Sequence, residues 1–480
     1  MSDAVSNSVV SRRRFLAPLA LAQFICSFAG SNMNVMISDI TEDLDTTVQG
    51  VQAAITLFLL IMAILMIPCS KLSDRWGRKR CFTIGLVLYG IGALLSAVSP
   101  GLGVLILGNS VLEGVGTALL IPPVYILTTL HFSDLTSRAR AFGVISGLGG
   151  LGAAAGPLIG GLITTAIDWR AAFIFQAGVV ALIVLLSRRI TDPLPPDPTS
   201  PFDAFGAVLS AVGMFFVVFG ILQADNNVVL MAVLLAAGAA FLIWFFLYTR
   251  ARERAGKEPL LPLLLFKNHT SNLGLITQNI QWLLLMGVSF TVAVFLQEVR
   301  GYNAIETGVI FTAATVGVLV SSLAAERLAK RRPQKTLIIA GFVVTMAGIG
   351  LLLALVGASS RVIAFGPGLL LIGLGLGIML TPAVNLVQSR FPEELQAEIS
   401  GLSRSVSNLG SSFGTAIAGT ILVSDLASGN TSYVLAMVAL AVLALIGLAA
   451  AIQLPASRER DRGASGLDAT PAPGTATERG

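Results

Sequence analysis

Charge is scarce in this sequence. Only 12% of its 480 residues are Asp, Glu, Lys or Arg, while 55% are hydrophobic, and the mean hydropathy is +0.83. A soluble domain carries roughly 25% charged residues. Half that share leaves too few charges to solvate a surface of this size, so the surrounding solvent must be largely lipid. Cysteine and histidine are also scarce. The three cysteines, Cys26, Cys69 and Cys81, lie in or beside apolar runs without metal-ligand spacing, which argues against a metal site and against a disulfide framework. The two histidines, His131 and His269, fall in loops far apart and are expected to be solvated. There is no nucleophile–base pair, metal cluster or nucleotide-binding loop, so neither an enzyme nor a cofactor is expected. No cleavable signal peptide is expected either. The first apolar run, 15–38, exceeds an h-region of about 7–15 residues and lacks a cleavage site. It should remain as the first helix.

What is present is apolar length and glycine. Fourteen runs approach the roughly 20 apolar residues that span a bilayer. They cover 15–38, 49–72, 81–98, 101–127, 141–166, 171–188, 204–223, 228–249, 271–297, 305–326, 336–357, 362–388, 398–424 and 432–454. The 49 glycines suit helices that pack closely in lipid. The net charge of +5 does not point to nucleic acid, because the basic residues sit in short loops where they set topology. With both ends of the chain inside, the inner loops hold Arg12, Arg13 and Arg14, then Lys71 to Arg80, Arg138, Arg140, Arg188, Arg189, Arg250 to Lys267, Arg327 to Lys335 and Arg390. The opposite side has only Arg170, Arg300 and Arg361. One missed span would throw later basic loops to the wrong side, so the bias also checks the helix count.

The expected organisation is an all-α membrane protein. A first six-helix bundle covers 1–190, a Pro-rich cytoplasmic linker 191–203, an inserted helix pair 204–249, a basic cytoplasmic loop 250–270 and a second six-helix bundle 271–455. A disordered tail is expected over 456–480. The piece Leu263-Leu264-Leu265-Phe266-Lys267 could lie on the membrane surface. An internal repeat supports this division. Asp74 to Arg80 after helix 2 resembles Glu326 to Arg332 after helix 10. Gly143, Gly152, Gly156 and Gly161 correspond to Gly401, Gly410, Gly414 and Gly419 at one offset of 258 residues. Two similar bundles around a midplane cavity are how secondary transporters alternate access.

Two motifs narrow the reading. Ser70-Lys71-Leu72-Ser73-Asp74-Arg75-Trp76-Gly77-Arg78-Lys79 combines a tight turn at Gly77 with an acid among guanidinium groups at helix ends. Such charge pairs can form in one state and break in another. The plainer reading is topological anchoring. The run resembles the loop of the major facilitator superfamily that follows the pattern G-x-L-a-D-R-x-G-R-[RK], with Ser70 in place of the first Gly. The resemblance implies a gating role for Asp74, Arg75, Gly77 and Arg78. In helix 5, Gly143, Gly152, Gly156, Pro157, Gly160 and Gly161 resemble the antiporter motif of the drug-exporting branches. Glycines four apart make a stripe that admits another backbone, and Pro157 bends the helix. Tight packing without function is the plainer alternative. Asp168-Trp169-Arg170 and Pro259 to Phe266 are similar to segments of the fourteen-helix drug/proton antiporters. Two departures stand out. The family's usual helix 1 acid falls at Ala29, and its helix 4 R-x-x-Q-G reads Ser110-Val111-Leu112-Glu113-Gly114, so the usual proton residues do not carry over.

Glu113 is the candidate for proton coupling. It lies about 18 Å into helix 4 at 1.5 Å per residue, with Asn109 and Thr117 on the same face. A carboxyl at that depth is expensive unless paired or protonated. Its alternative role is a hydrogen bond pinning helix 4 to helix 1. Arg404 in helix 13 either snorkels to the cytoplasmic face or meets a substrate or Glu113. Gln23, Asn32, Asn34, Asn109, Gln278, Gln281, Asn385 and Gln388 are candidates for cavity lining or for helix–helix bonds. Asp39, Glu42, Asp43 and Asp45 are expected to form a solvated external loop. The expected function is export of small amphipathic or cationic compounds by proton antiport, with a small molecule, protons and the bilayer as partners, and a monomer as the working state. The alternatives are an exporter of a defined metabolite or lipid without that coupling, and a membrane sensor that no longer transports.

Overall fold

Lipid offers the backbone no hydrogen bonds, so each crossing must satisfy its own amides, and helices are the simplest way to do so. The computed structural model of the chain describes residues 2–455 apart from 133–134, 189, 200, 225–226, 330–331, 359–361, 393–394 and 424–429. No strand occurs among the described residues. The tail 456–480 and the basic residues Lys330 and Arg331 lie outside them. Thirteen helices are long and apolar enough to cross a membrane, and fourteen when one bent pair counts as a single span. We label them α1 (Phe15–Asp43), α2 (Val48–Trp76), α3 (Arg78–Ala97), α4 (Leu102–His131), α5 (Leu135–Ala166), α6 (Trp169–Ser187), α7 (Ala204–Leu222) and α8 (Val228–Arg254). They continue as α9 (His269–Val299), α10 (Ala304–Ala329), α11 (Gln334–Ala358), α12 (Phe365–Gln388), α13 (Gln396–Val423) and α14 (Asn430–Gln453). The chain is thus an all-helical, multi-pass membrane protein.

Packing follows the sequence repeat. In the first half α1 packs on α5 and α6, α2 on α4, and α3 on α4 and α6. In the second half α9 packs on α13 and α14, α10 on α12, and α11 on α12 and α14. Every pair recurs eight helices later. The two six-helix bundles meet along two seams related in the same way, α2 against α13 and α5 against α10. The inserted pair α7–α8 stands outside the bundles, and α7 lies along the α2–α13 seam.

The glycine stripes explain why the pairs match. A methyl added to Gly152 would overlap the Phe24 carbonyl, and one at Gly156 would overlap the Ser31 hydroxyl, both on α1. Added at Gly410 or Gly414 it would overlap the Asn279 or Leu283 carbonyl on α9. Gly161 abuts the Ala304 carbonyl across one seam, and Gly419 abuts Gln52 across the other. A second stripe joins α3 to α4, where a Cβ on Gly85 or Gly92 would stand 2.7 or 2.6 Å from the carbonyls of Gly116 or Gly108. Its mate joins α11 to α12, through Gly341 and Gly348 against Gly375 and Gly368. Gly85 to Gly92 and Gly341 to Gly348 share a spacing of seven, so this repeat too could be read in the sequence.

Two helices depart from regular α geometry for identifiable reasons. α5 bends by 41° between Ala153 and Ala155. Pro157 lacks the N–H that would reach the Ala153 carbonyl, so the helix breaks one turn before it. In α4, Ile106–Glu113 is π-helical. That brings Gly108 and Glu113 onto Gly92 of α3.

Several expectations for the loops are corrected. α1 continues through a 3-10 turn at Met33–Met36 and a short helix Ile37–Asp43, so Asp39, Glu42 and Asp43 are helical. Asp43 is not simply solvated, since it pairs with Arg170 and accepts from the Trp169 indole at 3.2 Å. Arg170 also donates to the Ser99 carbonyl at 3.1 Å and lies over the Trp169 ring. That ties together the ends of α1, α3 and α6. His131 closes α4 with its ring stacked on Phe15, and His269 opens α9. The segment after α8 is held by the protein rather than only by the membrane surface. Asp203 accepts from Gly206 N, Tyr248 Oη and Leu260 N. Leu260, Leu261 and Leu265 are buried against Ile67, Phe245, Leu275, Ile399 and Leu402. An apolar pentapeptide beside a seam buries more area in that groove than at a headgroup layer.

Two outcomes test this packing. Leu in place of Gly156 should drive α1 and α5 apart, lower the midpoint of thermal unfolding in detergent by several degrees and stop transport. Gly143→Ala should leave both unchanged, because nothing lies within 4 Å of its added Cβ. Single cysteines at Arg80 and Arg332, in a background without Cys26, Cys69 and Cys81, should react with impermeant maleimide from the same side of the membrane. A cysteine at Asp45 should react from the other. Labelling of Arg80→Cys and Arg332→Cys from opposite sides would overturn the arrangement.

Candidate functional site

The ends of the molecule away from the basic loops are joined across the bundles. Asn34 Nδ2 donates to Ser289 Oγ at 3.2 Å, Gln297 Nε2 to the Asn34 carbonyl at 2.7 Å, and Ser38 Oγ to Glu298 at 2.6 Å. On the second seam, Ile305 N donates to Thr165 Oγ1 at 3.1 Å, and Gly308 of α10 sits on the Pro157 carbonyl of α5. Towards the basic loops the two seams differ. Lys71 and Glu398 pair at 2.9 Å across α2–α13. On α5, Gly150 and Gly143 continue the face of Pro157 and Gly161, at helical spacings of 7 and 18 residues, yet a Cβ added to either would meet nothing within 4 Å. The bend at Ala153–Ala155 lies where contact gives way to open space.

Between the bundles is a cavity of about 70 Å³. Gln23, Cys26, Ser27 and Gly30 of α1 and Phe58, Leu59, Met62 and Met66 of α2 form one wall, with Ile121 of α4 and Ala153 of α5. Trp282 and Met286 of α9 and Arg404, Asn408 and Ser411 of α13 form the other. Pockets for drug-sized ligands measure roughly 300–1,000 Å³, so this state must widen to admit one. The methionines suit that, being flexible and polarisable. The Arg404 guanidinium donates to the Tyr125 hydroxyl, lies 4.8 Å over its ring, and the hydroxyl in turn donates to Gln23 Oε1 at 3.2 Å. This chain of contacts runs from α13 through α4 to α1. Arg404 therefore points inward and does not snorkel.

The other polar candidates lie elsewhere. Asn34 belongs to the closed end. Asn32 is buried against Gly160 with its amide nitrogen unpartnered. Asn109 reaches the Met33 sulfur at 3.5 Å. Gln278 bonds Ser407 at 2.8 Å and accepts from Ser403 at 2.9 Å, and Gln281 donates to the Leu376 carbonyl at 3.1 Å. These are helix–helix bonds inside the second bundle. Gln388 donates to Ser400 at 3.2 Å, and Asn385 is exposed on α12. The sequence reading missed Met62, Met66, Trp282, Asn408 and Ser411. The signal for Asn408 and Ser411 was their spacing of four and seven from Arg404.

Glu113 is fully buried, and neither of its oxygens has a partner of good hydrogen-bond geometry, although the Tyr89 hydroxyl is close enough to act on it. It does not line the cavity. The π-helical stretch turns it towards α3, where its Cγ would meet a Cβ on Gly92 at 2.9 Å. Tyr89 stands beside it, with its hydroxyl bonded to Gln176 Oε1 at 2.5 Å. Glu113 thus sits in a polar pocket inside the first bundle, between α3, α4 and α6.

The loop between α2 and α3 is ordered by charge. Arg78 pairs with Asp74 at 2.6 Å. Gly77 has φ +94°, a left-handed conformation that glycine alone takes without strain. Asp192 of the linker, not singled out in the sequence, accepts from Arg78 N at 2.7 Å and Lys79 N at 3.4 Å. It caps the α3 N-terminus, where a carboxylate is favoured. Arg75 is exposed, and Lys79 reaches the Arg188 carbonyl at 3.3 Å. Asp74 and Gly77 thus couple the α2–α3 turn to the linker that leads to α7.

Comparison with known proteins agrees with this architecture. The family model of the Major Facilitator Superfamily matches residues 19–415. The puromycin resistance protein pur8 of Streptomyces alboniger is 30% identical over 415 residues, 85% of this chain and 81% of the relative. The multidrug efflux pump LfrA of Mycolicibacterium smegmatis is 27% identical, over 85% of this chain and 80% of the relative. A crystal structure of a peptide transporter POT with alafosfalin superposes with a TM-score of 0.67 at 17% identity, over 92% of this chain and 94% of that one. This last likeness is one of fold alone. Paired six-helix bundles, the Asp74–Arg78 loop and the match across most of its length lead to one conclusion: the chain belongs to the Major Facilitator Superfamily, a family of membrane transporters.

Proposed function

We propose that this protein exports small amphipathic organic compounds from the cell, with protons as the counter-ion. The observation that carries this reading is the cavity between two pseudo-symmetric bundles, with the bundles bonded together at the end away from the basic loops and an opening in the packing at the other end, where a Cβ on Gly143 or Gly150 would meet nothing within 4 Å. The positive-inside bias places that opening on the cytoplasmic side, the side from which an exporter loads. The resistance and efflux names of the relatives support the direction of transport. The cavity gives a cationic compound no carboxylate among its described lining residues, so amphipathic character is the part of the expectation that the geometry supports. In this reading the Asp74–Arg78 pair and the cap by Asp192 are contacts that form and break as the bundles rock.

Glu113 is the group we assign to the proton. A carboxyl without a well-placed donor at this depth exchanges a proton only when water reaches it, which ties its protonation to a conformational change. Tyr89 and Gln176 are the polar groups that water would meet first. The alternative, export of a defined metabolite without proton exchange, draws on Ala29 at the position of the family's usual helix 1 acid. Expression in a drug-sensitive host should raise tolerance to a panel of amphipathic antibiotics and dyes, and a proton uncoupler should abolish the gain. In everted vesicles, Glu113→Gln should bind a transported compound normally, yet no longer accumulate it against a pH gradient. Full accumulation by Glu113→Gln would place the proton site elsewhere.

A further inference from the structure

We propose that the cavity selects amphipathic organic anions, with Arg404 binding a substrate carboxylate. This rests on the export reading and names its substrate class. Among the described residues that line the cavity, Arg404 is the single charged side chain. Its guanidinium is held by a hydroxyl and a ring face of Tyr125 rather than by a carboxylate. Glu113, the buried acid of α4, is sealed behind that helix against Gly92 and Tyr89 and does not line the cavity. Glu398, on the same helix, is spent on Lys71. A cation in a confined, largely apolar site without a counter-charge attracts an anion strongly, and a guanidinium offers a carboxylate two parallel donors. The remaining wall has one part for each end of such a molecule. Met62, Met66, Met286 and Trp282 take an apolar body, and Asn408 and Ser411 lie one and two turns along α13 from Arg404 for polar substituents.

The same contact links binding to movement. Tyr125 is on α4 of the first bundle and Arg404 on α13 of the second, so their contact ties the halves together near the opening. A carboxylate that takes over the guanidinium removes this tie, and loading with substrate thereby frees the bundles to rock. An anion leaving the cell also moves with an inside-negative membrane potential.

Three probes with one fluorophore test the assignment on the full-length protein in lipid nanodiscs. Dansylglycine carries a carboxylate, dansylamide no charge and dansylcadaverine an ammonium, and binding is read from dansyl emission. Dansylglycine should bind about tenfold more tightly than dansylamide, the gain of one charge-assisted pair, and dansylcadaverine most weakly. Arg404→Gln should erase the preference for dansylglycine and leave dansylamide binding almost unchanged, which also reports a folded cavity. Arg404→Lys should keep the order. Tyr125→Phe releases the guanidinium from its hydroxyl acceptor and should tighten dansylglycine, a measure that stands even if Arg404→Gln does not fold. The proposal is overturned if the wild-type protein binds dansylglycine no better than dansylamide or not at all. It is also overturned if the preference survives Arg404→Gln, if that variant keeps the wild-type thermal unfolding midpoint yet loses all probes alike, or if Tyr125→Phe weakens dansylglycine. Binding through Arg404 without accumulation of any probe in everted vesicles supports the site and removes the export reading. Accumulation of the amide or amine independent of Arg404 keeps the export reading and removes the anion site.

Discussion

Close backbone approach between helices is the constraint on which the rest of this molecule depends. In lipid no hydrophobic force drives one apolar helix onto another, so association rests on van der Waals fit and on polar bonds between helices. Gly152 and Gly156 let α5 sit on the carbonyls and hydroxyls of α1, and Gly410 and Gly414 do the same for α13 on α9. Gly161 and Gly419 then bring each of those helices against the opposite bundle. One glycine pattern, repeated once, sets both the interior of each bundle and the two seams between them. The polar bonds from Gln278 and Gln281 add direction to contacts that the glycines make possible.

Repeated sequence need not give identical seams. The α2–α13 seam is covered by α7 and by Leu260 to Leu265, and is closed near the basic loops by Lys71 and Glu398. Among the described residues the α5–α10 seam has no such cover, and α5 carries Pro157 where α13 carries Thr415. The missing amide bends α5, and the face that holds Gly150 and Gly143 parts from α10. The inserted helices and the segment after them therefore act on one seam only. Asp203 links them, capping α7 while holding Tyr248 and Leu260.

Much of the fold was legible in the sequence because its signals are long or repeated. Fourteen apolar runs, a lopsided basic bias and four glycines at one offset each survive an error of a few residues. The direction of single polar side chains was harder to read. Gln278 and Gln281 share a helix face with cavity residues in a helical projection, yet both spend their amides inside the second bundle, because α13 offers Ser403 and Ser407 to Gln278 and α12 offers the Leu376 carbonyl to Gln281. Glu113 turns away from the cavity because each residue of a π-helical stretch rotates the chain by less than an α-helical residue does, which brings it out on another face of α4. Neither the stretch nor the docking of Leu265 has a signature that hydropathy alone could show. The pairing of Asp43 with Arg170 depends on two helix ends far apart in sequence.

The two inward-facing ionisable groups, Glu113 and Arg404, occupy different electrical environments. Glu113 is enclosed with Tyr89 and Gln176 on the far side of α4, and Arg404 faces the open cavity. Had they met, they would have neutralised one another, and the site would have held neither a proton nor a charged ligand without first breaking that pair. Their separation by the width of α4 leaves each with a vacant valence. The carboxyl lacks a well-placed donor, and the guanidinium lacks an anion. Tyr125 and Glu113 lie on the same helix, three turns apart. A shift of α4 that releases Tyr125 from Arg404 would also alter the packing of Glu113 on Gly92. In the proposed exchange, charge at one end of that helix and protonation at Glu113 would be read by one rigid element, which is the minimum that exchange of one for the other requires.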